Sequence, residues 1–249
     1  MIYFNDVHIL FYVLFGILGA FVGEFVNWLN NRLPEYKKVF TKDIIKEYKN
    51  GIKPNWILMI ITAIIYIGLL YKFGIQKTFA GNIALIKYIL LTPMLLSAFV
   101  IDYKMQIIPN RLNLTMFEVG LIIAFVYGIF NINMSIDMLL GMLAGAGIFL
   151  IITVLGGIIA GKEAMGFGDV KLMGALGLYF GLSGIIAVSL IAFLIGAVLS
   201  ILLIVLKVKK TDEYIPFGPF IVIASFIVAF VPFDIILNVL LKVFTLGMY

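Results

Sequence analysis

The sequence predicts an all-α fold, a polytopic membrane helix bundle of about eight transmembrane segments with the N- and C-termini outside. Three observations carry the prediction. Of 249 residues, 63% are hydrophobic and only 12% are charged, about half the charge fraction of a soluble domain. Mean hydropathy is +1.17. The apolar residues fall in repeated runs, most of them near or above the ~18 residues that read as a membrane span.

The first run, 8–28, has Asp6 before it rather than lysines, and no small-residue cleavage site follows, so it is expected to be an uncleaved span. Gly19 and Gly23 give it a GxxxG face for close helix packing. Spans at 56–70 and 83–101 follow, the latter ending directly in Asp102. The next, 112–130, is preceded by Pro109 as a helix breaker, with Asn110 or Asn113 as its polar cap. The fifth, 138–160, begins after Asp137 and carries Gly141 and Gly145 at the same close-packing spacing. The sixth, 172–182, is short for a vertical crossing at 1.5 Å per residue. The seventh and eighth are 185–206 and 217–233, the last ending near Pro232 and Asp234. The apolar tail at 235–247 reads as a helix lying on the outer interface or packed on the bundle.

The basic residues decide how the short sixth run is treated. With eight crossings, the inside loops 29–55, 102–111, 161–171 and 207–216 hold seven, two, two and three Lys or Arg, against 18 in the whole chain. A re-entrant sixth run would place Lys207, Lys209 and Lys210 outside, against the positive-inside bias. The chain is therefore expected to be a single integral membrane domain, 1–249. Its sizeable polar stretch, the basic inner loop 29–55, is patterned as a short amphipathic surface helix too small for its own core.

Composition also excludes. There is no cysteine and one histidine, His8, so neither a disulfide framework nor a thiolate or imidazole metal site is expected. His8 reads as an interfacial polar residue. The net charge of +5 fits loops facing anionic lipid head groups, and nothing suggests a base-stacking platform for nucleic acid.

Against this background two carboxylates stand out. Glu35, Asp43, Glu47, Asp212 and Glu213 lie in solvated loops; Asp6, Asp137 and Asp234 fall at outer boundaries. Asp102 and Asp169 fall at the inner ends of apolar runs, at matched depth, 67 residues apart in sequence. A bundle that brings their spans together sets the two side by side. Two close carboxylates share one proton. One can then take a proton from water attacking a peptide carbonyl while the other protonates the oxyanion or the leaving amine. The titration belongs to the pair.

Around Asp169, "MGFGDVK" supplies Gly166 and Gly168, expected to take positive φ or to clear a path for an extended substrate backbone. Lys171 is expected to orient or tune Asp169. Glu118, one turn into the fourth run, has no assigned role. Paired intramembrane acids also serve as proton or cation relays, so a coupled transporter is the competing reading.

Three stretches resemble the type IV prepilin peptidases, membrane aspartic proteases of the GxGD class. "FVIDYKMQIIPNRLN" is similar to the family's first aspartate motif, an Asp followed by Ile-Pro-Asn. "GKEAMGFGDVKLMGALGLYFG" resembles its second, with Glu163, Met165, Gly166, Gly168, Asp169, Lys171 and Leu172 in pattern. "YIPFGPF" looks like the entry to the family's last span, and "GEFVNWLNNRLP" like its N-terminal Gly-Ser-Phe-Leu-Asn stretch. The resemblance implies that Asp102 and Asp169 are the catalytic pair, with Gly166, Gly168, Lys171, Pro109, Asn110 and Glu163 in support. It implies a multi-pass protein of the cell's plasma or inner membrane, with its active site on the cytoplasmic side. The implied substrates are type IV prepilins or pseudopilins, whose basic leader is cut after a glycine, and no cofactor is needed for proteolysis. For many bacterial members it also implies methylation of the new N-terminus with S-adenosylmethionine. Two departures are visible: no CxxC pairs occur in the first loop, and Glu24 stands where the family has serine. The presenilin-like branch shares GxGD, but its Pro-Ala-Leu motif does not occur in this chain.

Overall fold

The computed structural model describes residues 3–5, 7–35, 37–39, 53–161, 165–206 and 215–244. The amphipathic centre of the first inner loop, the segment with Glu163, and residues 207–214 lie outside them. Helix dominates. A two-residue antiparallel hairpin, β1 (Tyr3–Phe4) with β2 (Val7–His8), precedes α1 (Ile9–Arg32), α2 (Trp56–Phe73) and α3 (Phe79–Met105). After these come α4 (Asn110–Phe130), α5 (Ile132–Ala160), α6 (Phe167–Val205), α7 (Gly218–Phe230) and α8 (Phe233–Phe244). Six of these helices are long and apolar enough to cross a membrane, or seven if α7 and α8, bent by 118°, form one span. The chain is a multi-pass membrane protein. It divides into two compact units, Met1–Ile101 and Asp102–Tyr249.

In the first unit, α1 packs on α2 through its GxxxG glycines. A Cβ at Gly19 would lie 2.6 Å from Ala63 Cα, and one at Gly23 2.5 Å from Leu58 O, so only hydrogen fits between the two backbones. His8 caps α1, its Nδ1 accepting from Leu10 N at 3.2 Å. At the other end of α1 the polar side chains turn to the loop that follows. Asn27 Nδ2 donates to Lys53 O and to Glu24 Oε1, and Glu24 Oε2 accepts from Asn55 N at 3.0 Å. Trp28 Nε1 donates to Val39 O, and Arg32 donates to Lys38 O while its guanidinium lies over the Trp28 ring. Glu24 thus joins α1 to the start of α2.

The second unit is built around α6. Expected segments 172–182 and 185–206 fall on this one 39-residue element, whose backbone breaks at Gly181 (φ 69°, ψ −176°). That conformation is open essentially to glycine alone. The break reverses the chain. A Cβ on Gly145 of α5 would touch both Met173 O and Ile185 Cγ1, yet residues 12 apart on a straight helix are separated by ~18 Å. One level away, a Cβ on Gly141 would lie 2.5 Å from both Gly177 O and Gly181 C. The arms 167–180 and 182–205 therefore both lie along α5, with the glycine pair of α5 seated at the bend. Asp137 does not start α5, whose N-cap is Asn131; it caps the second arm instead, Oδ1 accepting from Leu182 N at 3.2 Å.

The first arm is buried on nearly every side, which is why its sequence is apolar all round. Tyr179 Oη donates to Met116 O of α4 at 2.9 Å. Phe149, Phe193 and Phe217 form an aromatic cluster with ring centroids 5.1–6.0 Å apart, fixing the chain as it enters α7. Beyond Pro232 the chain turns into α8, an apolar helix with Asp234 in its first turn and Lys242 in its last.

Candidate active site

Asp102 lies one turn before the end of α3, which Gln106 terminates in left-handed conformation (φ 56°). Asp169 lies in the first turn of α6. Both are in the second unit and both are buried, 3% and 4% exposed. The chain after Asp102 meets the Asp169 turn: a Cβ on Gly168 would lie 3.4 Å from Ile108 Cβ. Two helix ends far apart in sequence thus bring two carboxyl groups into one desolvated place, where such groups act on each other strongly.

The two carboxyls are held differently. Asp102 Oδ2 accepts from the backbone N–H of Gly218 at 2.9 Å. Gly218 is the first residue of α7, and the amides of a helix's first turn have no partner within the helix. They also present the positive end of the helix dipole to an acid. A Cβ at Gly218 would fall 2.6 Å from that same oxygen, so a hydrogen there permits the bond. Asp169, by contrast, has Oδ1 buried without a partner. Its backbone N–H closes the turn onto Gly166 O at 3.0 Å.

One expectation for the glycine turn, positive φ, is corrected. Gly166 is the N-cap of α6 in ordinary extended conformation (φ −70°, ψ 139°), and Gly168 is helical; neither takes positive φ. A Cβ on Gly168 would meet only Ile108, at the ordinary distance of 3.4 Å. The cap of α4 also differs: Pro109 itself occupies the N-cap position, without a side-chain bond. Asn110 begins the helix, and its Oδ1 accepts from Lys171 Nζ at 2.8 Å, tying the first turns of α4 and α6 together. Lys171 is therefore engaged with Asn110. Asn113, buried, donates through Nδ2 to Gly168 O at 3.1 Å. Glu163 is outside the described residues, and Glu118 is exposed.

Beside this turn runs a cavity of about 560 Å³ between α4, α5 and the first arm of α6. Its walls are apolar, including Phe117, Met142 and Ala146; its polar lining comes from Asn110, Asn113 and Lys171.

Sequence reasoning missed the roles of Gly218 and Asn113. For Gly218 the available signal was "FGP", a glycine with a backbone donor at the start of a proline-opened helix. For Asn113 none existed, because its partner is 55 residues away.

The fold and these residues define a class: a multi-pass membrane protein with a buried pair of helix-end aspartates. Residues 89–201, which contain both aspartates, match the type IV leader peptidase family. The chain is 33% identical over 172 residues to a prepilin leader peptidase/N-methyltransferase of Xanthomonas campestris, covering 69% of this chain and 56% of that one. It is 31% identical over 158 residues to one of Aeromonas hydrophila (64% and 53%) and 35% identical over 140 residues to one of Pseudomonas aeruginosa (56% and 47%). The chain spans about half the length of these relatives. No solved structure matches it.

Proposed function

We propose that the chain is a membrane aspartic endopeptidase that removes the basic leader of a type IV prepilin or pseudopilin, cutting after a glycine at the cytoplasmic face of the plasma or inner membrane. The observation that carries the reading is that Asp102 and Asp169 are both buried at helix ends of the second unit, with Asp102 held by the Gly218 amide and Asp169 Oδ1 without a partner. In the proposed reaction the pair shares one proton. A water molecule gives a proton to the unprotonated carboxylate as its oxygen attacks the scissile carbonyl. The second carboxyl protonates the departing amine, and the C–N bond breaks to leave a carboxyl-ended leader and a free N-terminus. Support for an apolar substrate comes from the 560 Å³ groove next to the Asp169 turn, walled by apolar side chains and opening from the same two helix turns.

The relatives' names also carry an N-methyltransferase, whose methyl donor would be S-adenosylmethionine. The side chains of Glu24, Asn27, Trp28 and Arg32 are turned to backbone groups of this chain's own loop. Methylation of the new N-terminus with S-adenosylmethionine is a second activity proposed on the relatives' names alone. The transporter reading has no support among the relatives.

The test is direct. The purified chain, in bilayers containing anionic lipid, is incubated with a peptide made of a basic leader, a glycine and an apolar helix. Cleavage after the glycine by the wild type, and none by Asp102→Asn, is the expected result; intact peptide with folded protein refutes the reading.

A further inference from the structure

Asn113 sits in the first turn of α4, 4% exposed, where a carboxamide is costly unless both its ends find partners. One end does: Nδ2 donates to Gly168 O across to α6, at 3.1 Å. The other does not: Oδ1 is buried with no partner. Among the described residues only four side chains hold a buried polar atom in this state, and two of them are Asn113 and Asp169. The two are linked through a single residue, since Gly168, whose carbonyl Asn113 holds, immediately precedes Asp169. Incompletely satisfied buried polar groups concentrate where function, rather than folding, sets the residue.

The alternatives for Asn113 are weak. It is not the cap of its own helix, because Pro109 occupies that position and Asn113 N bonds to Pro109 O like any first-turn amide. Packing alone would be served better by an apolar side chain of the same shape, such as leucine. What leucine cannot do is fix the Gly168 carbonyl.

We propose that Asn113 is a positioning residue of the aspartate site: its Nδ2–H anchors the Gly168 carbonyl and so sets the rotation of the α6 turn that presents Asp169. The inference rests on the proteolytic reading and adds to it a residue outside the aspartate pair. Asn113→Leu replaces a buried, half-satisfied amide by an apolar side chain of the same branching, so the desolvation cost removed offsets the bond lost at the Gly168 carbonyl and the folded state does not weaken. The same change frees the Gly168 carbonyl, and a displacement of Asp169 approaching 1 Å costs on the order of 10²-fold in rate.

The experiment uses the full chain in bilayers, with the leader peptide as substrate, and reads kcat, KM and thermal unfolding for each variant. Asn113→Leu and Asn113→Ala should each lose about 10²-fold in kcat with KM near the wild-type value, and Asn113→Leu should unfold no earlier than wild type. Asn113→Gln, which keeps a carboxamide donor on a longer arm, should recover part of the rate. Thr115→Ala, an exposed change on the same helix, should leave kcat unaltered. Wild-type kcat in a folded Asn113→Leu variant overturns the proposal, as does a kcat loss in every variant that only tracks lost folding. Failure of the wild type to cut the peptide overturns the proteolytic reading itself, and this inference with it.

Discussion

The Gly218 amide offers the sharpest perturbation of the site, because replacing its hydrogen by a methyl group sets two effects of known size against each other. Gly218 is in helical conformation, so alanine there gains up to ~1 kcal/mol of helix propensity. Against this, the new Cβ would stand 2.6 Å from Asp102 Oδ2, 3.0 Å from its Cγ and 3.2 Å from its Cβ. Moving Oδ2 from 2.6 Å to an ordinary 3.4 Å contact requires a retreat of about 0.8 Å. The same retreat stretches the 2.9 Å bond from the Gly218 amide past hydrogen-bonding range. A hydrogen bond to a charged group contributes ~1.5–3 kcal/mol. A catalytic group misplaced by nearly 1 Å loses ~10²-fold in rate, equivalent to ~2.7 kcal/mol. The clash outweighs the helix gain. Gly218→Ala is therefore expected to insert and fold, to keep KM for the leader peptide near wild type, and to lose about 10²-fold in kcat. Single-turnover cleavage in bilayers, with thermal unfolding measured alongside, reads both quantities. A folded Gly218→Ala variant with wild-type kcat would show that Asp102 does not act from this hydrogen-bonded position. If Asp102→Asn is dead in the same assay, the aspartate stands and only its orientation is wrong.

The other expectations are simpler. Asp102→Asn and Asp169→Asn should each abolish cleavage as completely as the double variant, since the two act as a unit; appreciable turnover by either single variant counts against the pair. Gly168→Ala should fold normally, because its methyl group meets only Ile108 at 3.4 Å; a normal cleavage rate would then show that the substrate does not pass close to that glycine. Gly181→Ala should destabilise the fold by ~1–3 kcal/mol through its left-handed backbone alone, and by more because the methyl runs into the Asp137 carboxylate. Thermal unfolding checks it, and an unchanged midpoint would mean that α6 does not bend there. Neutralising the leader's lysines should weaken binding in anionic vesicles but not in zwitterionic ones, each lysine contributing ~1 kcal/mol near a charged surface; equal loss in both would point to a protein contact instead.

The membrane class, the helical segments and the two aspartates were legible in the sequence because each is a local signal. An apolar run longer than a bilayer is thick has few other uses, and a carboxylate at the end of such a run is conspicuous against it. The close-packing glycines were legible for the same reason: Gly19, Gly23, Gly141 and Gly145 need only their own spacing to announce a helix contact. The runs 172–182 and 185–206 also read as separate segments, and the bend at Gly181 shows why the chain does not continue straight between them. What the sequence could not determine is which backbone group each side chain meets. Asn110, Asn113 and Asp137 all read as caps of their own helices, because a polar residue near a helix start is most often one. Tertiary structure sent them elsewhere, to Lys171, to the Gly168 carbonyl and to the second arm of α6. Gly166 and Gly168 were expected to take positive φ and are instead an extended cap and a helical residue. The Gly218 amide, 116 residues from Asp102, was reachable only once α7 was seen to begin against it. A hydrogen bond constrains position to a few tenths of an ångström, and its partner is chosen by the packing of whole helices, which no local window of residues encodes.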